Sequence, residues 1–457
     1  MSSTTHARAA EAFSADAVRA AWHDQALWFV RAKRDQVTHA IPEWEALRTL
    51  ASGIKAHTLS RLDTYLEEFE RNAKANGVTV HWAANAAEHN RIVYDILAAH
   101  QAGTLVKSKS MLTEECQLNS YLEAQGIMIV DSDLGERIIQ LGGETPSHIV
   151  MPAIHKRKAE VGALFAEHFG TSPDEDDPAT LADAARGPLR AALFGADAAL
   201  TGVNFAIAET GALVVCTNEG NADLGAHLAP LHIASMGIEK LIPRVADLGV
   251  FLRLLARSAT GQPITAYTSH FVKPRPGASL HVVIVDNGRS EHLGRPDFRE
   301  ALACIRCGAC LNTCPIYRRS GGHSYDATIP GPIGAILSPG IDLARHASLP
   351  FASTLCGSCG DVCPVKIDIP QQLYRWRQLV ARGGHLGAPK RRRMRWLGGV
   401  LGSRRWYEFA GWMGRALLRV SAHAPWLVRR TAWGRERELP MAPRESFRDW
   451  YKRNRAA

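Results

Sequence analysis

No stretch of the 457-residue chain reaches the roughly 18 to 20 uninterrupted apolar residues that a membrane-spanning helix requires. The best candidate, residues 406–428, is interrupted by Arg415 and Arg419. The first twenty residues lack the apolar core of a secretory signal. We therefore exclude an integral membrane protein and expect a cytoplasmic one, with peripheral attachment to the inner face of the membrane as the alternative.

Nucleotide-binding signatures are also missing. The sequence contains neither G-x-x-x-x-G-K-[ST] nor a Gly-rich dinucleotide fingerprint after a strand-like run, so nothing predicts ATP or NAD. Cysteine is too scarce for a disulfide-stabilised protein, with nine residues in the whole chain. Because 46% of the residues are apolar and 22% are charged, the composition fits a globular protein with two or three domains.

Charge is unevenly distributed along the chain. Of the 54 basic and 45 acidic residues, 21 basic and 5 acidic ones lie in residues 371–457, so the net charge of +9 comes from this C-terminal segment. The same segment holds most of the tryptophans, and Trp396, Trp406 and Trp412 lie among leucines at roughly helical spacing. We therefore favour packing against an acidic partner subunit or an anionic membrane, and expect no nucleic acid.

The middle of the chain alternates short β-branched runs with amphipathic stretches. This alternation predicts an α/β domain with a largely parallel sheet covered by helices. Strands are predicted at residues 78–82, 104–107, 126–130, 148–151, 203–208, 212–217, 264–268 and 280–285. Helices are predicted at residues 43–72, 84–101, 111–125 and 153–168.

Four segments follow from these patterns. Residues 1–69 are an N-terminal helical region, and residues 70–292 are the α/β domain. Residues 293–375 form a module rich in Cys, Gly and Pro, whose fold we expect to be held by a cofactor. Residues 376–457 are a basic, Trp-rich extension, which we expect to be helical.

Seven of the nine cysteines lie in two runs within the third segment. The first run, followed by Pro315, fits the pattern C-x2-C-x2-C-x3-C-P, which binds [4Fe-4S] clusters in bacterial-type ferredoxins. Three thiolates two residues apart reach three corners of one cluster, whereas the fourth thiolate points at a neighbouring cluster. The cysteines of this run are Cys304, Cys307, Cys310 and Cys314.

The second run matches the last three cysteines of the same pattern and has Ser353 at the first position. Its cysteines are Cys356, Cys359 and Cys363, followed by Pro364. The two-cluster rule assigns four thiolates to cluster 1 and three to cluster 2, so one iron of cluster 2 has no obvious thiolate. Cluster 1 would take Cys304, Cys307, Cys310 and Cys363, and cluster 2 would take Cys314, Cys356 and Cys359.

Three alternatives remain for the fourth ligand of cluster 2. Ser353 supplies an oxygen, Cys116 or Cys216 arrives from the α/β domain, or the site is a three-cysteine cluster with a labile iron. We favour three protein thiolates and leave the fourth ligand undetermined, because buried cysteines in strand-like runs are usually small hydrophobic residues. Zinc is the alternative metal, but a Zn(Cys)4 site needs only four thiolates and does not explain two Cys-Pro steps.

The sequence around these cysteines resembles the LutB-type lactate utilization iron–sulfur proteins, the iron–sulfur subunit family of an L-lactate dehydrogenase complex. The resemblance lies in residues 304–317, 321–325, 331–334 and 355–367, and in residues 208–221 upstream of them. It covers roughly residues 60–380. It implies the same seven cysteine ligands, no first cysteine in the second run, and an α/β domain of the sugar-isomerase and CoA-transferase-like fold.

The resemblance further implies an electron-transfer subunit of a complex that oxidises L-lactate to pyruvate. Its cofactors would be two iron–sulfur clusters of the [4Fe-4S] type. Its partners would be the other subunits of that complex, and a quinone-linked or peripheral membrane acceptor. The alternatives are a relay for another 2-hydroxy acid such as glycolate, and an α/β binding or CoA-transferase-like module with structural clusters. No residue is identified as catalytic.

Weaker signals lie at the ends of strand-like runs in the α/β domain. Residues 209–211 and 219–221 combine acidic and glycine-rich turns, which in an open sheet line ligand crevices for carboxylate or phosphate groups. An ordinary hairpin turn is the alternative interpretation. Lys107 and Lys109 are candidates for steering an anionic substrate, although solvated lysines are the commoner case.

Overall fold

The computed structural model describes residues 5–423, 425–430, 434 and 437–455. Trp433, one of the tryptophans of the C-terminal segment, lies outside these residues. The chain divides into two compact units, one ending at Leu379 and the other beginning at Val380. The N-terminal helices, the α/β domain and both cysteine runs all belong to the first unit. The four predicted segment boundaries remain predictions.

Four helices precede the first strand. They are α1 (His6–Ala15), α2 (Ala17–His39), α3 (Trp44–Ser60) and α4 (Leu62–Ala75). The helix predicted at residues 43–72 is therefore two helices, which break at Arg61. Helix α2 begins after Asp16, whose carboxylate accepts a hydrogen bond from the Arg19 backbone N–H at 3.0 Å. The apolar faces of these helices join the main core of the unit.

The main sheet of the α/β domain has six strands, all parallel, in the order β1-β10-β7-β4-β2-β3. Its strands are β1 (Thr79–Ala83), β2 (Thr104–Lys107), β3 (Met128–Asp131), β4 (Ala198–Gly202), β7 (Leu231–Gly237) and β10 (Ser279–Val285). Because all strands are parallel, their carboxyl ends lie at one edge, where ligand crevices form in open α/β sheets.

A second sheet of four strands has the order β8-β5-β6-β9. Its strands are β5 (Phe205–Ile207), β6 (Ala212–Thr217), β8 (Leu241–Ile242) and β9 (Tyr267–Phe271). The helices of the domain are α5 (Ala86–Ala99), α6 (Met111–Glu115), α7 (Leu118–Glu123), α8 (Leu134–Leu141), α9 (Lys158–Phe169), α10 (Pro178–Gly195), α11 (Asn221–Leu228) and α12 (Val245–Thr260).

The cysteine-rich module, all of whose residues the structure describes, contains short helices and no strands. The helices that follow β10 and reach the end of this module are α13 (Arg289–Leu293), α14 (Ala309–Thr313), α15 (Pro315–Ser320), α16 (Gly331–Ile341), α17 (Leu343–His346), α18 (Ser358–Asp361) and α19 (Ile369–Arg382). Trp376 is buried on the module's side of α19, stacked on Phe298 with ring centroids 4.0 Å apart. Its indole N–H donates a hydrogen bond to the Ile336 carbonyl at 2.9 Å, so this tryptophan anchors the module's core.

The second unit is helical. It contains α20 (Ala388–Gly402), α21 (Arg404–His423), α22 (Pro425–Arg429) and α23 (Phe447–Arg455). Large apolar side chains remain on its surface, including Trp396 at 71% exposure. Glu408 on α21 pairs with Arg404 at 3.0 Å and with Arg448 of α23 at 2.5 Å. Within the described part of the chain, every helix is too short or too polar to cross a bilayer.

The predicted fold class is confirmed, with an α/β domain, a cysteine-rich module and a helical C-terminal region. The strand predicted at residues 148–151 is wrong, because this segment forms successive bends. The strand predicted at residues 264–268 begins three residues later, at Tyr267. Strands β4 and β7 were not predicted, although they lie at the centre of the main sheet.

Candidate functional site

The two cysteine runs adopt the same local backbone conformation. Arg306 and Leu355, each two residues after the first position of a run, have positive φ angles of 59° and 56°. Gly308 and Gly357, two residues further on, have φ angles of 75° and 90°, and each precedes a short helix. The similarity between the two runs is therefore a structural repeat, and we call residues 304–314 and 353–363 the first and second cysteine turns.

Four cysteines, three from the first turn and one from the second, line one small cavity with an otherwise apolar wall. They are Cys304, Cys307, Cys310 and Cys363. Burial raises the pKa of the Cys307 and Cys310 thiols well above the ordinary value, and the neighbouring Cys304 thiol adds to this effect. A buried group of thiols ionises readily only when a bound cation compensates the negative charge.

The other three cysteines form a second group. Cys359 lies within electrostatic reach of Cys314 and Cys356, and burial raises its pKa to about 12. Cys314, although it belongs to the first turn, therefore groups with the second turn, and Cys363 groups with the first. Cys310 also lies within reach of Cys359, so the two groups adjoin. This crossed arrangement is the one that the two-cluster rule describes.

Backbone amides point at the sulfurs in both turns. The Arg306 N–H donates to Cys304 Sγ at 3.4 Å, and the Tyr317 N–H donates to Cys314 Sγ at 3.5 Å. The Ile367 N–H donates to Cys363 Sγ at 3.4 Å. Such hydrogen bonds stabilise negative charge on sulfur, as they do around iron–sulfur clusters.

This donor set fits iron–sulfur clusters better than a single ion. In the described ranges, no three His, Cys, Asp or Glu side chains are arranged so that they could hold one metal ion. The four thiols of the first group instead surround a volume whose other walls are apolar. Sulfur ligands at the corners of a cluster require this arrangement, whereas a tetrahedral zinc ion requires convergence on one point.

Ser353 occupies the position in the second turn that Cys304 occupies in the first. Its Oγ accepts a hydrogen bond from the Leu355 N–H at 3.1 Å, two residues on, as Cys304 Sγ does from Arg306. The other two cysteines lie in the α/β domain. Cys116 is buried at the end of α6, and Cys216 lies on β6 beside a different, larger cavity.

The larger cavity has a volume of about 620 Å³ and lies at the carboxyl ends of strands of the main sheet. Cys307 and Arg306 of the first turn form part of its wall. Glu219 and Asn221, from the second predicted polar turn, also line it. The first predicted polar turn does not: the Glu209 carboxylate accepts a hydrogen bond from the Val245 N–H at 2.8 Å, at the start of α12.

The two lysines after β2 have different roles. Lys109 lines the larger cavity and pairs with Asp133 at 3.3 Å. Lys107 is fully buried and pairs with Glu114 at 2.6 Å and with Asp131 at 3.0 Å. Both sequence interpretations of Lys107, substrate steering and solvation, are therefore wrong, because its charge is used in a buried ion-pair network.

A set of cations lies where the larger cavity meets the first cysteine turn. Arg289 pairs with Glu115 at 2.9 Å and with Glu239 at 2.7 Å. Arg306 approaches Glu239 only to 3.7 Å, and its buried Nη1 has no hydrogen-bond partner among the described residues. Lys240 also lines this part of the cavity. Sequence reasoning missed these residues because they come from distant segments that only the fold brings together.

Arginines of the N-terminal helices hold the second turn from outside. The Arg48 guanidinium donates to the Asp361 carbonyl at 2.7 Å and to the Cys363 carbonyl at 2.8 Å. Arg34 donates to the Val362 carbonyl at 3.1 Å. These bonds satisfy carbonyl groups at the end of α18 and fix the turn's geometry. No sequence signal distinguished these arginines from surface charges on an amphipathic helix.

The first turn is fixed from the α/β side. Asn312 bonds His148 Nε2 through its Oδ1 at 3.0 Å and donates from Nδ2 to the Ala259 carbonyl at 3.1 Å. His148 is buried, and burial lowers its pKa to about 3. The 148–151 segment, predicted as a strand, is therefore a loop that packs on the first turn.

Two family models match the chain. One is described as the LUD domain and matches residues 66–291, and the other is described as the 4Fe-4S dicluster domain and matches residues 300–367. The second match confirms the expectation of iron–sulfur clusters. The two matches together cover most of the α/β domain and of the cysteine-rich module.

Full-length relatives are also similar. The chain is 40% identical over 423 residues to lactate utilization protein B of Shouchella clausii, which covers 90% of this chain and 88% of that protein. Identity to lactate utilization protein B of Oceanobacillus iheyensis is 44% over 344 residues, covering 74% and 72%. Identity to the uncharacterized electron transport protein YkgF of Escherichia coli is 37% over 449 residues, covering 93% and 92%.

Proposed function

Because the chain belongs to the lactate utilization protein B family, we propose that it is the electron-transfer iron–sulfur subunit of a cytoplasmic complex that oxidises L-lactate to pyruvate. The observation that carries this proposal is the crossed grouping of the seven cysteines. Each bound cluster would accept or donate single electrons, which suits a relay between a two-electron oxidation and an acceptor.

The proposed ligands are the seven cysteines in their two groups. Cluster 1 is assigned to Cys304, Cys307, Cys310 and Cys363, and cluster 2 to Cys314, Cys356 and Cys359. Around them the chain's own groups set the environment: amide N–H groups at 3.4 to 3.5 Å stabilise anionic sulfur, and apolar side chains exclude water from the first group. The exposure of the cysteines supports a direction of electron transfer from cluster 1 to cluster 2. Cys307 borders the larger cavity, whereas Cys356 is exposed.

The partners are proposed to be the other subunits of the lactate-oxidising complex. The second unit supports this idea because α20 and α21 combine arginines with exposed tryptophans such as Trp396 and Trp406. Aromatic and arginine side chains are the usual anchors of protein interfaces, and an acidic partner would complement the charge. A protein truncated after Gly387 should keep its iron but no longer co-purify with the complex. If the full-length protein binds anionic vesicles and the truncated protein does not, the second unit contacts a membrane instead.

Metal and sulfide analysis tests the relay. Protein purified without oxygen should be brown and contain about seven to eight iron atoms per chain, with matching acid-labile sulfide. Stoichiometric zinc without sulfide would end the proposal. A strain lacking the protein should grow on glucose but not on L-lactate; a defect on glycolate as strong as the one on lactate would shift the substrate to 2-hydroxy acids in general.

A double variant tests whether the clusters are only structural. Cys304→Ser together with Cys307→Ser should abolish lactate-dependent electron transfer while the circular dichroism of the α/β domain is retained. Retained activity in a folded, iron-depleted protein would favour a binding or transferase module instead. Cys116→Ser, outside both groups, is the matched control and should keep iron and activity.

A further inference from the structure

The part of the larger cavity next to the first cysteine turn has more positive charge than its acids neutralise. Lys240, Arg289 and Arg306 line it, and Glu115 and Glu239 are the acids beside them. Arg289 is paired with both acids. Among the described residues, no hydrogen bond or ion pair within 4 Å is made by the Lys240 ammonium, although Glu239 and Cys304 lie within electrostatic reach of it. Three cations beside two carboxylates leave a net charge of about +1 at this end.

The Arg306 side chain supplies a second, independent sign of a missing anion. Its Nη1 is buried without a hydrogen-bond partner in the described chain, and its Nη2 lies 3.7 Å from Glu239, beyond hydrogen-bonding range. A buried guanidinium N–H is costly to leave unpaired, so such groups usually meet an acceptor. Lys109, another cation that lines the cavity, differs because it is paired with Asp133 and lies near Glu219.

We propose that this end of the cavity binds a small organic carboxylate, whose oxygens are received by Lys240 and Arg306. The planar guanidinium fork matches a carboxylate, and the ammonium adds a point charge. The cavity is also lined by Ile149, Leu255 and Ile329, which suit a short hydrocarbon chain. Among the described residues that line the cavity, none belongs to a glycine-rich phosphate loop, which disfavours a nucleotide.

The carboxylate site itself does not depend on the proposed function. Only its closeness to a cluster, which Cys307 would bind, rests on that function. A carboxylate held here would sit against the wall that Cys307 and Arg306 form, on the buried side of the first turn. The alternative is that the cations serve only to balance negative charge on the cysteine group, since Lys240 is also within electrostatic reach of Cys304. The two roles predict different results for ligand binding.

Calorimetric titration of the iron-loaded protein with pyruvate, L-lactate, acetate and inorganic phosphate tests the site. The unaltered protein should bind the 2-oxo or 2-hydroxy acid and bind phosphate at least tenfold more weakly. Lys240→Met should weaken acid binding at least tenfold without loss of iron, and Lys240→Arg should restore part of it. Lys158→Met removes an exposed lysine that pairs with Asp176 away from the cavity, and should bind as the unaltered protein does.

Equal binding by the unaltered protein and Lys240→Met overturns the carboxylate site, as does equally tight phosphate binding. A Lys240→Met protein whose acid binding is unchanged while the reduction potential of a cluster shifts assigns the lysine to the cluster, which also overturns the proposal. The titration measures binding and needs no turnover. A protein that binds the acid but does not transfer electrons would therefore contradict the proposed relay without contradicting the carboxylate site.

A second inference comes from the repeat between the two cysteine turns. Ser353 matches Cys304 in its backbone setting, since the residue two positions later has a positive φ angle in each turn, 56° and 59°. The hydrogen bond matches as well. The Leu355 N–H donates to Ser353 Oγ, as the Arg306 N–H donates to Cys304 Sγ. The Ser353 carbonyl is held by the Arg377 guanidinium at 2.7 Å, so the residue is fixed in place.

We infer that Ser353 Oγ is the fourth protein ligand of cluster 2, resting on the proposed function for the cluster itself. Binding would replace the hydroxyl proton, released to solvent, by an iron–oxygen bond without change of oxidation state. The inference decides between the alternatives left open by the sequence.

Electron paramagnetic resonance and iron analysis test the ligand without an activity measurement. Ser353→Ala should lose about one iron per chain and show a [3Fe-4S] species after mild oxidation. Ser353→Cys should keep all the iron and change the spectrum of cluster 2 only. Thr354→Ala, at the exposed neighbouring residue, is the matched control and should leave both unchanged. A Ser353→Ala protein with the spectrum and iron content of the unaltered protein overturns the inference.

Discussion

The two cysteine turns have nearly the same backbone and very different surroundings. The first packs against the α/β domain through Asn312 and His148 and borders a cavity of about 620 Å³. The second is held by arginines of the N-terminal helices, and its Cys356 is exposed. The comparison teaches that a local motif fixes which atoms can bind a cluster, whereas the elements packed on it decide what that cluster can reach.

Substitution of the proposed cysteine ligands should produce the largest difference between the two turns. Cys307→Ala removes a thiol that belongs to the buried group, and should lose about four iron atoms per chain together with lactate-dependent growth. Cys356→Ala alters the exposed edge of the second group and should keep the iron of cluster 1. Iron analysis and electron paramagnetic resonance distinguish the two variants. Equal iron loss in both would contradict the assignment of two separate groups.

Oxidants should distinguish the two turns in the unaltered protein. Of the thiols proposed for cluster 2, Cys356 is exposed, whereas three of the four thiols proposed for cluster 1 are buried. Because oxidation follows solvent access, ferricyanide or air should alter the signal of cluster 2 first. A time course of electron paramagnetic resonance spectra measures the order, and earlier loss of cluster 1 would count against it.

The contacts that hold each turn should contribute unequally to stability. Arg48→Met removes charged hydrogen bonds to two carbonyls of the second turn and should lower the free energy of unfolding by about 3 kcal/mol. Asn312→Ala removes neutral bonds under the first turn and should cost about 1 to 2 kcal/mol. Anaerobic urea unfolding of iron-loaded protein compares them. Arg48→Lys should recover part of the lost stability. Full recovery would show that the two hydrogen bonds do not require the guanidinium group.

The contrast between matched glycine substitutions should be the smallest, at about 1 kcal/mol. Gly357→Ala places a Cβ in open space, so only its φ angle of 90° opposes the change, at about 1 kcal/mol. Gly308→Ala adds a steric conflict, because the new Cβ would lie 3.1 Å from His148 Cε1 and 3.2 Å from Val150 Cγ2. We expect about 2 kcal/mol for this variant. Equal urea midpoints for Gly308→Ala and Gly357→Ala would show that His148 and Val150 shift to make room for the added methyl group.

The sequence predicted the chemistry of the site better than its surroundings. Cysteine spacing is local and stereochemically strict, so it predicts which thiols bind which cluster, and that assignment stays a prediction. Strands β4 and β7 were missed because Ala198–Gly202 and Leu231–Gly237 are rich in small and polar residues, and both are buried in the middle of a parallel sheet. Lys240 and Arg306 carry no local signal, since their importance arises from tertiary proximity.

The bonds from Arg34 and Arg48 to the second turn also constrain how the protein matures in the cell. Arg48 and the carbonyl of Cys363 are separated by 315 residues, so the first helices leave the ribosome long before their partner exists. Neither end of this contact can be completed until translation has passed the last cysteine. The second turn can therefore gain these contacts only after nearly the whole of the first unit has been synthesised.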